Sequence, residues 1–343
     1  MGSKMLLLMA WFGAFNVRKE DQHGIRKKDR KGVPGTTATS KGGYDVETSV
    51  KSKALEAFNE TTKTVLNPGI QSWKDQGGKA VGCFCSYVPE EIITAAGLLP
   101  IRIRATGNVG TGLADRYLGD VNCSFARNCF NMALSGGYDF FDGLVWINSC
   151  DHVRRLYDNW KRKMDGPAFL HLLSLPKKTG EKQVNWYREE MEVFKEKLET
   201  HFGVEITEER LWDAIRLHNQ KRRLQRALQQ LRRAQNPPIT GAQMLAVMVA
   251  GTTMPLEGYN QLLRELLDEA RQWEGIKDYR ARLMIVGGIL DDPPFIEAIE
   301  SQGGLVVTDM LCFGSKAMWE DVDEGTREPL EALARYYVKD RPA

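Results

Sequence analysis

The 343-residue sequence lacks three features that would assign it quickly to a class. It contains no apolar run of about 18 residues or more, so no membrane-spanning helix is expected. Neither sign of charge dominates, with 47 Lys and Arg against 45 Asp and Glu, which argues against a nucleic-acid-binding protein. Cysteine is sparse, at six residues, so a disulfide scaffold is not expected. We therefore expect a soluble cytoplasmic protein with reduced thiols.

The length and hydrophobicity indicate folded domains. At roughly 150 residues per domain, the length suggests two domains and an additional segment. The 42% hydrophobic content is sufficient for real cores. The N-terminal residues differ from the rest. An apolar stretch at 5–17 precedes seven basic and three acidic residues at 18–31, the reverse of a signal peptide, and a linker-like stretch follows at 32–44. We predict a basic, flexible segment, with a peripheral membrane anchor as the alternative.

A short apolar run followed by helix-start residues recurs along the chain. Pro89 and Glu90 follow one such run, and they favour a first helical turn because its amides lack partners. Asp151 follows another run and is predicted as a helix N-cap. Strands that alternate with helices predict parallel α/β sheets of the Rossmann or flavodoxin type. The predicted strands are residues 80–86, 144–148, 283–288 and 305–311, with a helix at 294–302.

A long helical stretch separates the two α/β regions. Gly203, Pro237 and Pro255 are predicted to divide it into three or four helices. Its residues 216–233 hold seven Arg and Lys and no acid, which predicts a solvated basic face, with an acidic protein partner as the alternative. The predicted divisions are the N-terminal segment 1–50, a first α/β domain 51–180, a helical segment 181–275 and an incomplete second α/β domain 276–343.

Three of the cysteines follow predicted strands. Cys85, Cys150 and Cys312 each lie at the carboxyl end of a strand, where ligand crevices form in open α/β sheets. Three thiolates suit an iron–sulfur cluster and would leave one iron of a 4Fe–4S cluster open to substrate. The alternative for each cysteine alone is a small buried core residue.

The other cysteines are expected to be structural. Cys83 lies two residues before Cys85 on the same predicted strand. Cys123 and Cys129 lie on or beside a predicted helix, six residues apart and so not on one face. Among these three, Cys123 is the first that we would expect to have a role other than a structural one. The spacing of the cysteines matches neither a zinc ribbon nor a ferredoxin.

Four motifs in the same order resemble those of the benzoyl-CoA reductase and 2-hydroxyacyl-CoA dehydratase family. A further stretch, HVRRLYDNW at 152–160, looks more like the reductase branch than the dehydratases. The order over residues 80 to 315 is more specific than any single motif. The motifs are CSYVPEE at 85–91, GGYDFFDGLV at 136–145, NSCD at 148–151 and DMLCFG at 309–314.

The resemblance implies an iron–sulfur subunit that transfers low-potential electrons to an acyl-CoA thioester. A separate activator protein, itself an iron–sulfur protein, would hydrolyse the ATP, and a homologous subunit would complete a homo- or heterodimer. The family's cluster ligands correspond to Cys85, Cys150 and Cys312, which would hold a 4Fe–4S cluster. Ser86 and Glu90 are weaker catalytic candidates, with Glu91 beside them, and helix capping is the alternative role for all three.

The resemblance leaves the reaction open between reduction and dehydration. A double-cubane reductase and a non-catalytic scaffold subunit are further alternatives. Members of the family usually continue the second α/β domain with more strand–helix units, whereas only two of its strands are predicted here. The chain is therefore expected to be a fragment or to be completed by a partner, and to act within a complex. The acyl group and the oligomeric state are not indicated by the sequence.

Overall fold

The computed structural model describes residues 6–9, 52–164, 169–325 and 328–341. The basic stretch and the linker-like stretch of the predicted N-terminal segment lie outside these residues. Within the described part of the chain, strands and helices alternate in two parallel sheets. The α/β fold class predicted from the sequence is confirmed. The strands are β1 (Leu6–Met9), β2 (Ala80–Phe84), β3 (Leu99–Arg102), β4 (Gly143–Ile147), β5 (Phe169–Leu173), β6 (Ala281–Val286) and β7 (Gly304–Met310).

The helices of the described residues fall into groups along the chain. The first helix packs against the middle ones, the next four accompany the first sheet, mostly longer ones form the middle of the chain, and short ones accompany and follow the second sheet. The first five are α1 (Lys53–Thr62), α2 (Pro68–Asp75), α3 (Glu90–Ala95), α4 (Ser124–Leu134) and α5 (Asp151–Lys163). The remaining ones are α6 (Glu181–Phe202), α7 (Glu208–Leu231), α8 (Gly241–Ala250), α9 (Leu256–Ala270), α10 (Pro293–Glu300) and α11 (Pro329–Arg335).

The first sheet has the strand order β3-β2-β4-β5, and every neighbouring pair is parallel. Every residue of β2, β3 and β4 is buried, as expected of a sheet covered on both faces. The chain runs from β2 to β3 on one side and then returns to β4 on the other side of β2. The strand order therefore reverses between β2 and β4, and ligands bind beyond the carboxyl ends of strands at such a point.

The second sheet has the order β1-β6-β7 and is also parallel. The sequence pattern did not indicate β1 as a strand of this sheet. A register irregularity lies between Leu283 and Met284, where β6 pairs with β7. One face of the sheet packs on α8 and α10, and Leu245, Ile296 and Val306 contribute to that core.

The middle of the chain consists of the four helices α6 to α9, as the glycine and proline positions predicted. Gly203 ends α6 in the left-handed conformation at φ 65°, which glycine adopts without steric cost. Pro255 directly precedes α9. None of the helices in the described ranges combines the length and the apolarity that a bilayer crossing requires.

Residues after the second sheet return to the first. The sequence pattern assigned residues 276–343 to the second α/β domain. The structure packs Leu333, Tyr336 and Tyr337, from α11 and the π-helical turn Tyr336–Asp340, into the same core as Val81. The apolar face of α11 is buried against α6 and the first sheet, and short-range sequence patterns cannot reveal this contact because it joins distant parts of the chain.

Candidate functional site

Cys85 occupies a strained position directly after β2. Its backbone has φ 89°, the only positive value of a non-glycine residue among the described residues. For a residue other than glycine this conformation costs on the order of 1–3 kcal/mol of stability, and such strain concentrates at functional sites. The carbonyl of Cys85 accepts a hydrogen bond from the Val88 amide at 3.4 Å, which closes a turn before α3. The Cys85 side chain is half-buried.

Cys150 lies beyond the carboxyl end of β4 and is exposed. It is the N-cap residue of α5, in extended backbone, and makes no capping hydrogen bond with its side chain. The sequence predicted Asp151 as the cap, but Asp151 is the first helical residue. The thiol of Cys150 is therefore not engaged by the helix that it precedes.

Cys123 is the N-cap of α4, and its Sγ accepts a hydrogen bond from the Ala126 amide at 3.5 Å. Burial raises the pKa of Cys123, the Ala126 amide opposes this rise, and the nearby Cys150 adds to it. Cys123 and Cys150 are thus neighbours across the N-termini of two helices. The Cys123 thiol already has a structural partner, unlike that of Cys150.

Cys312 lies in a loop after β7 that a buried carboxylate organises. Asp309 Oδ1 accepts hydrogen bonds from the amides of Leu311 at 3.1 Å and Ser315 at 2.8 Å. Gly314 leaves the space for this carboxylate, because a Cβ atom there would lie 2.0 Å from Asp309 Oδ1. Burial raises the pKa of Asp309, and the two amides oppose the rise. The loop that presents Cys312 is therefore held by side chain to backbone hydrogen bonds.

Arg102 joins the Cys312 loop to the first sheet. It is the last residue of β3, and its Nη1 donates to the Cys312 carbonyl at 3.1 Å. Its guanidinium lies 4.3 Å from the centre of the Phe313 ring. The Cys312 amide donates to the Gly288 carbonyl at 3.1 Å, in the loop after β6. The carboxyl edges of the two sheets therefore meet at Cys312.

Tyr87 is within electrostatic range of both Cys85 and Cys312. Burial raises the pKa of Tyr87, the Arg341 guanidinium opposes the rise, and both Cys85 and Cys312 add to it. The two cysteines therefore share one neighbour although 227 positions separate them (312 − 85 = 227). Cys150 is placed beside Cys123 instead, and no hydrogen bond among the described residues joins it to Cys85 or Cys312. The structure thus places Cys85 and Cys312 within electrostatic range of one side chain, whereas Cys150 lies beyond the end of the neighbouring strand β4.

Cys83 and Cys129 have the opposite environment. Both side chains are fully buried, Cys83 within β2 and Cys129 within α4. Burial raises the pKa of both thiols well above its usual value, which disfavours the thiolate that metals bind. Their positions support the structural role that the sequence predicted.

The thiols of Cys85, Cys150 and Cys312 fit a cluster better than a single ion. Within residues 52–164, 169–325 and 328–341, no three His, Cys, Asp or Glu side chains are placed to hold one metal ion. In an iron–sulfur cluster each cysteine binds a different iron, so the ligands lie farther apart than around one ion. Thiolates are the ligands that such clusters use, and all six cysteines are unpaired. The donor set and its placement at strand ends are therefore compatible with a cluster.

The acids after Cys85 form ion pairs with α7. Glu90 accepts from Lys221 Nζ at 3.4 Å, and the buried Glu91 pairs with Arg222. Tyr337 donates its hydroxyl to Glu91 at 2.8 Å. Burial would raise the pKa of Glu91, but Arg222 outweighs it and lowers the pKa to about 2. Helix capping was the expected alternative role, but no side chain caps α3 through a hydrogen bond.

Ser86, the other weak candidate, is buried in the turn between Cys85 and α3. The predicted solvated basic face of α7 is wrong for part of its residues. Lys221, Arg222 and Arg232 are buried, and Arg232 donates to the Val306 carbonyl. These cations bind α7 to its neighbours. The run of basic residues without acids, as read from the sequence, could not show which of them are buried.

A cavity of about 380 Å³ lies between the two carboxyl edges. It is lined by the loop after β3, the N-terminal half of α4, the loop after β6 and the start of α10. Burial raises the pKa of Asp291, which lines the cavity beside Asp292. Its other lining side chains are mostly apolar, including Phe125, Ile289, Leu290 and Phe295.

Sequence reasoning missed the residues that support the cysteines. Arg102 and Arg341 lie in no motif, and Tyr87 lies in the motif at 85–91 without having been singled out there. The contacts of all three join distant parts of the chain. Asp309 could have been found, because an aspartate at the end of a strand can accept a hydrogen bond from the backbone amide two residues on, as it does here from Leu311. Apart from the opposite charges of the two residues, nothing in the sequence indicated that Glu91 and Arg222 form a pair.

Comparison with known proteins identifies the same group as the motifs. Residues 85–343 match the family described as 2-hydroxyglutaryl-CoA dehydratase, D-component. The chain is 31% identical over 248 residues to one of the subunits of benzoyl-CoA reductase from Thauera aromatica, and the match covers 70% of this chain and 63% of that relative. The chain thus spans less than two thirds of the length of this relative.

Two dehydratase subunits match more of the chain at lower identity. The (R)-phenyllactyl-CoA dehydratase beta subunit of Clostridium sporogenes is 24% identical, over 82% of this chain and 75% of the relative. The beta subunit of (R)-2-hydroxyglutaryl-CoA dehydratase from Acidaminococcus fermentans is 27% identical, over 84% of this chain and 76% of the relative. The family resemblance seen in the motifs is confirmed, and the chain belongs to the 2-hydroxyglutaryl-CoA dehydratase D-component family.

Proposed function

We propose that this chain is the iron–sulfur subunit of an acyl-CoA reductase similar to benzoyl-CoA reductase. Cys85, Cys150 and Cys312 would bind a 4Fe–4S cluster. The observation that carries the proposal is that these three thiols follow β2, β4 and β7 at the carboxyl edges of the sheets. Cys83 and Cys129 are buried instead, and the partly exposed Cys123 caps α4.

The residues around the cysteines would hold the site in place. When bound, the cluster would supply low-potential one-electron transfer to the acyl-CoA thioester. Asp309 and Arg102 fix the Cys312 loop from both sides, through its amides and its carbonyl. The cavity beside the loop would receive the acyl group against its apolar side chains, and Asp291 would hold a proton at its carboxyl more readily than an exposed aspartate.

The reaction requires partners that the relatives' names suggest. The three relatives described above are each named as a subunit, which supports action within a complex. A homologous subunit and a separate ATP-hydrolysing iron–sulfur activator would complete the system, and the cytoplasm would keep the unpaired thiols reduced.

The proposal is tested with the chain, a partner subunit and an activator, assayed anaerobically with ATP. We expect benzoyl-CoA to be reduced and 2-hydroxyglutaryl-CoA to remain unchanged. Cys312→Ala should abolish turnover. Its matched control, Cys83→Ala, should retain turnover. Turnover that survives Cys312→Ala would contradict the cluster assignment.

The second candidate is a subunit of a 2-hydroxyacyl-CoA dehydratase, in which electron transfer leads to loss of water. The observation that favours it is that the two dehydratase subunits match 82% and 84% of this chain, against 70% for the reductase subunit. The same assay distinguishes the two, because dehydration of 2-hydroxyglutaryl-CoA without benzoyl-CoA reduction would select the dehydratase. A complex that forms normally while the chain binds no iron would select a scaffold subunit. About eight irons per chain instead of about four would select a double-cubane reductase.

A further inference from the structure

The segment after α11 brings a cation to the turn that presents Cys85. The Arg341 amide donates to the Tyr336 carbonyl at 3.0 Å, which ends the π-helical turn. The Arg341 guanidinium lies 5.3 Å from the centre of the Tyr87 ring and 5.6 Å from that of Tyr337. A guanidinium at these distances from two ring faces is attracted by both, and their two rings fix its position.

The position of Tyr87 is in turn fixed relative to Cys85. It is the second residue after Cys85, inside the turn closed by the Val88 amide. Its carbonyl accepts the Tyr187 hydroxyl at 2.9 Å, so its backbone is anchored to α6. Both tyrosines lie within electrostatic range of Cys85 and of Arg341, and Tyr87 also of Cys312. Arg341 therefore shares its immediate neighbours with two of the proposed ligands.

Arg341 differs from the other cations of its surroundings in its lack of an anion. Among the described residues no carboxylate forms an ion pair with it, and its Nε is buried without a hydrogen-bond partner. Arg222 is paired with Glu91, and Arg335 is paired with Glu181 and Glu331. Burial opposes the charge of Arg341, but Tyr336, Tyr337 and Glu90 outweigh burial and raise its pKa, so the guanidinium keeps its positive charge at this position.

We propose that Arg341 is a positioning residue whose fixed charge stabilises the reduced form of a cluster held by Cys85, Cys150 and Cys312. The inference rests on the proposed function. A cluster gains one negative charge when it accepts one electron, and no bond forms or breaks in that step. A cation held over the ring of Tyr87, two residues from Cys85, favours the more negative state, so it raises the reduction potential.

The test is a redox titration of the full chain, loaded with iron and sulfide under anaerobic conditions. Titanium(III) citrate supplies the electron, and electron paramagnetic resonance follows the reduced cluster. We expect Arg341→Gln to make reduction at least tenfold less favourable, a shift of about 59 mV to more negative potential for a one-electron couple. Arg341→Lys, which keeps the charge, should restore most of the wild-type potential.

The control is Arg335→Gln, which removes an exposed arginine from the same segment and should leave the potential unchanged. If Arg341→Gln does not fold, Tyr87→Leu removes the ring beneath the guanidinium and should shift the potential in the same direction. An unchanged potential in an Arg341→Gln or Tyr87→Leu variant with normal iron content would overturn the inference. A wild-type chain without iron would instead overturn the proposed function, and this inference with it.

Discussion

The two sheets present cysteine at their carboxyl edges by different physical means. In the first sheet, Cys85 is held by a strained backbone at φ 89° and Cys150 by its place at a helix N-terminus. In the second sheet, Cys312 is held by amide hydrogen bonds to Asp309 and by Arg102 from the first sheet. The first sheet therefore relies on the packing of α3 beneath its turn to hold Cys85 in place, whereas the second relies on one carboxylate to hold Cys312. Changes in the two regions should therefore act through different observables.

The largest effect is expected from the cysteines themselves, and it tests what the two sheets have in common. Cys85→Ala, Cys150→Ala and Cys312→Ala should each lower iron from about four per chain to less than about one, because each removes a ligand. Iron analysis on anaerobically purified protein measures this. Cys83→Ala and Cys129→Ala are matched controls that should keep the iron and lose roughly 1 kcal/mol of packing. If all three ligand variants retain iron, the assignment is wrong.

The next effect concerns the support of the first sheet. Arg222→Met leaves Glu91 charged and unpaired in the interior, and loss of one partner of a buried ion pair costs about 3–5 kcal/mol. Urea unfolding at neutral pH measures the change. The neighbouring Arg223→Met removes an exposed pair and should cost no more than about 1 kcal/mol. Equal effects of the two substitutions would show that the buried pair does not support α3.

The same pair predicts a dependence on pH. The pKa of Glu91 is lowered to about 2 in the folded chain, below its ordinary value of 4.5. A lowered carboxyl pKa contributes stability above the unfolded value, and this contribution is lost as the pH falls from 4.5 through about 2. Urea unfolding at intervals between about pH 5 and pH 2 should therefore show a steeper loss in the wild type than in Glu91→Gln. Parallel curves would contradict the assignment.

A smaller effect is expected at the support of the second sheet. Asp309→Ala removes the acceptor of two amides and should cost about 2 kcal/mol, because hydrogen bonds to charged groups contribute roughly 1.5–3 kcal/mol. It should also speed alkylation of Cys312 by iodoacetamide, measured by mass spectrometry of its peptide. Asp323→Ala removes a similar carboxylate-to-amide bond in an exposed loop and should change neither quantity much. Unchanged alkylation in Asp309→Ala would show that the carboxylate does not order the loop.

The smallest effect tests backbone strain in the first sheet. Glycine adopts positive φ freely, so Cys85→Gly should be more stable than Cys85→Ala by about 1 kcal/mol. At Cys150, whose φ is −149°, glycine should give no such gain over alanine. Thermal unfolding of the four variants compares the two sites. A gain of equal size at Cys150 would refute strain as the special feature of Cys85.

The strands and the helix breaks could be predicted from sequence because they depend on local patterns. Apolar runs marked β2, β4, β6 and β7, and Gly203 marked the end of α6. The motifs marked Cys85, Cys150 and Cys312 as candidates. The supports of the site could not be predicted, because Arg102, Tyr87 and Arg341 act through contacts between segments far apart in sequence.

Burial of charge was also beyond the local pattern. Lys221 and Arg223 look alike in a basic helix, yet one is buried against Glu90 and the other pairs with Asp321 at the surface. Which side of α7 meets α3 is decided by tertiary packing. The same holds for residues 329–341, whose return to the first sheet follows from the core that they share with it.

The central claim is that Cys85, Cys150 and Cys312 hold an iron–sulfur cluster. The most direct measurement is the iron and acid-labile sulfide content of the anaerobically purified chain, with its electron paramagnetic resonance spectrum after reduction. We predict about four irons and about four sulfides per chain, and a signal that appears on reduction. A stable, folded chain that contains neither iron nor sulfide would contradict the claim.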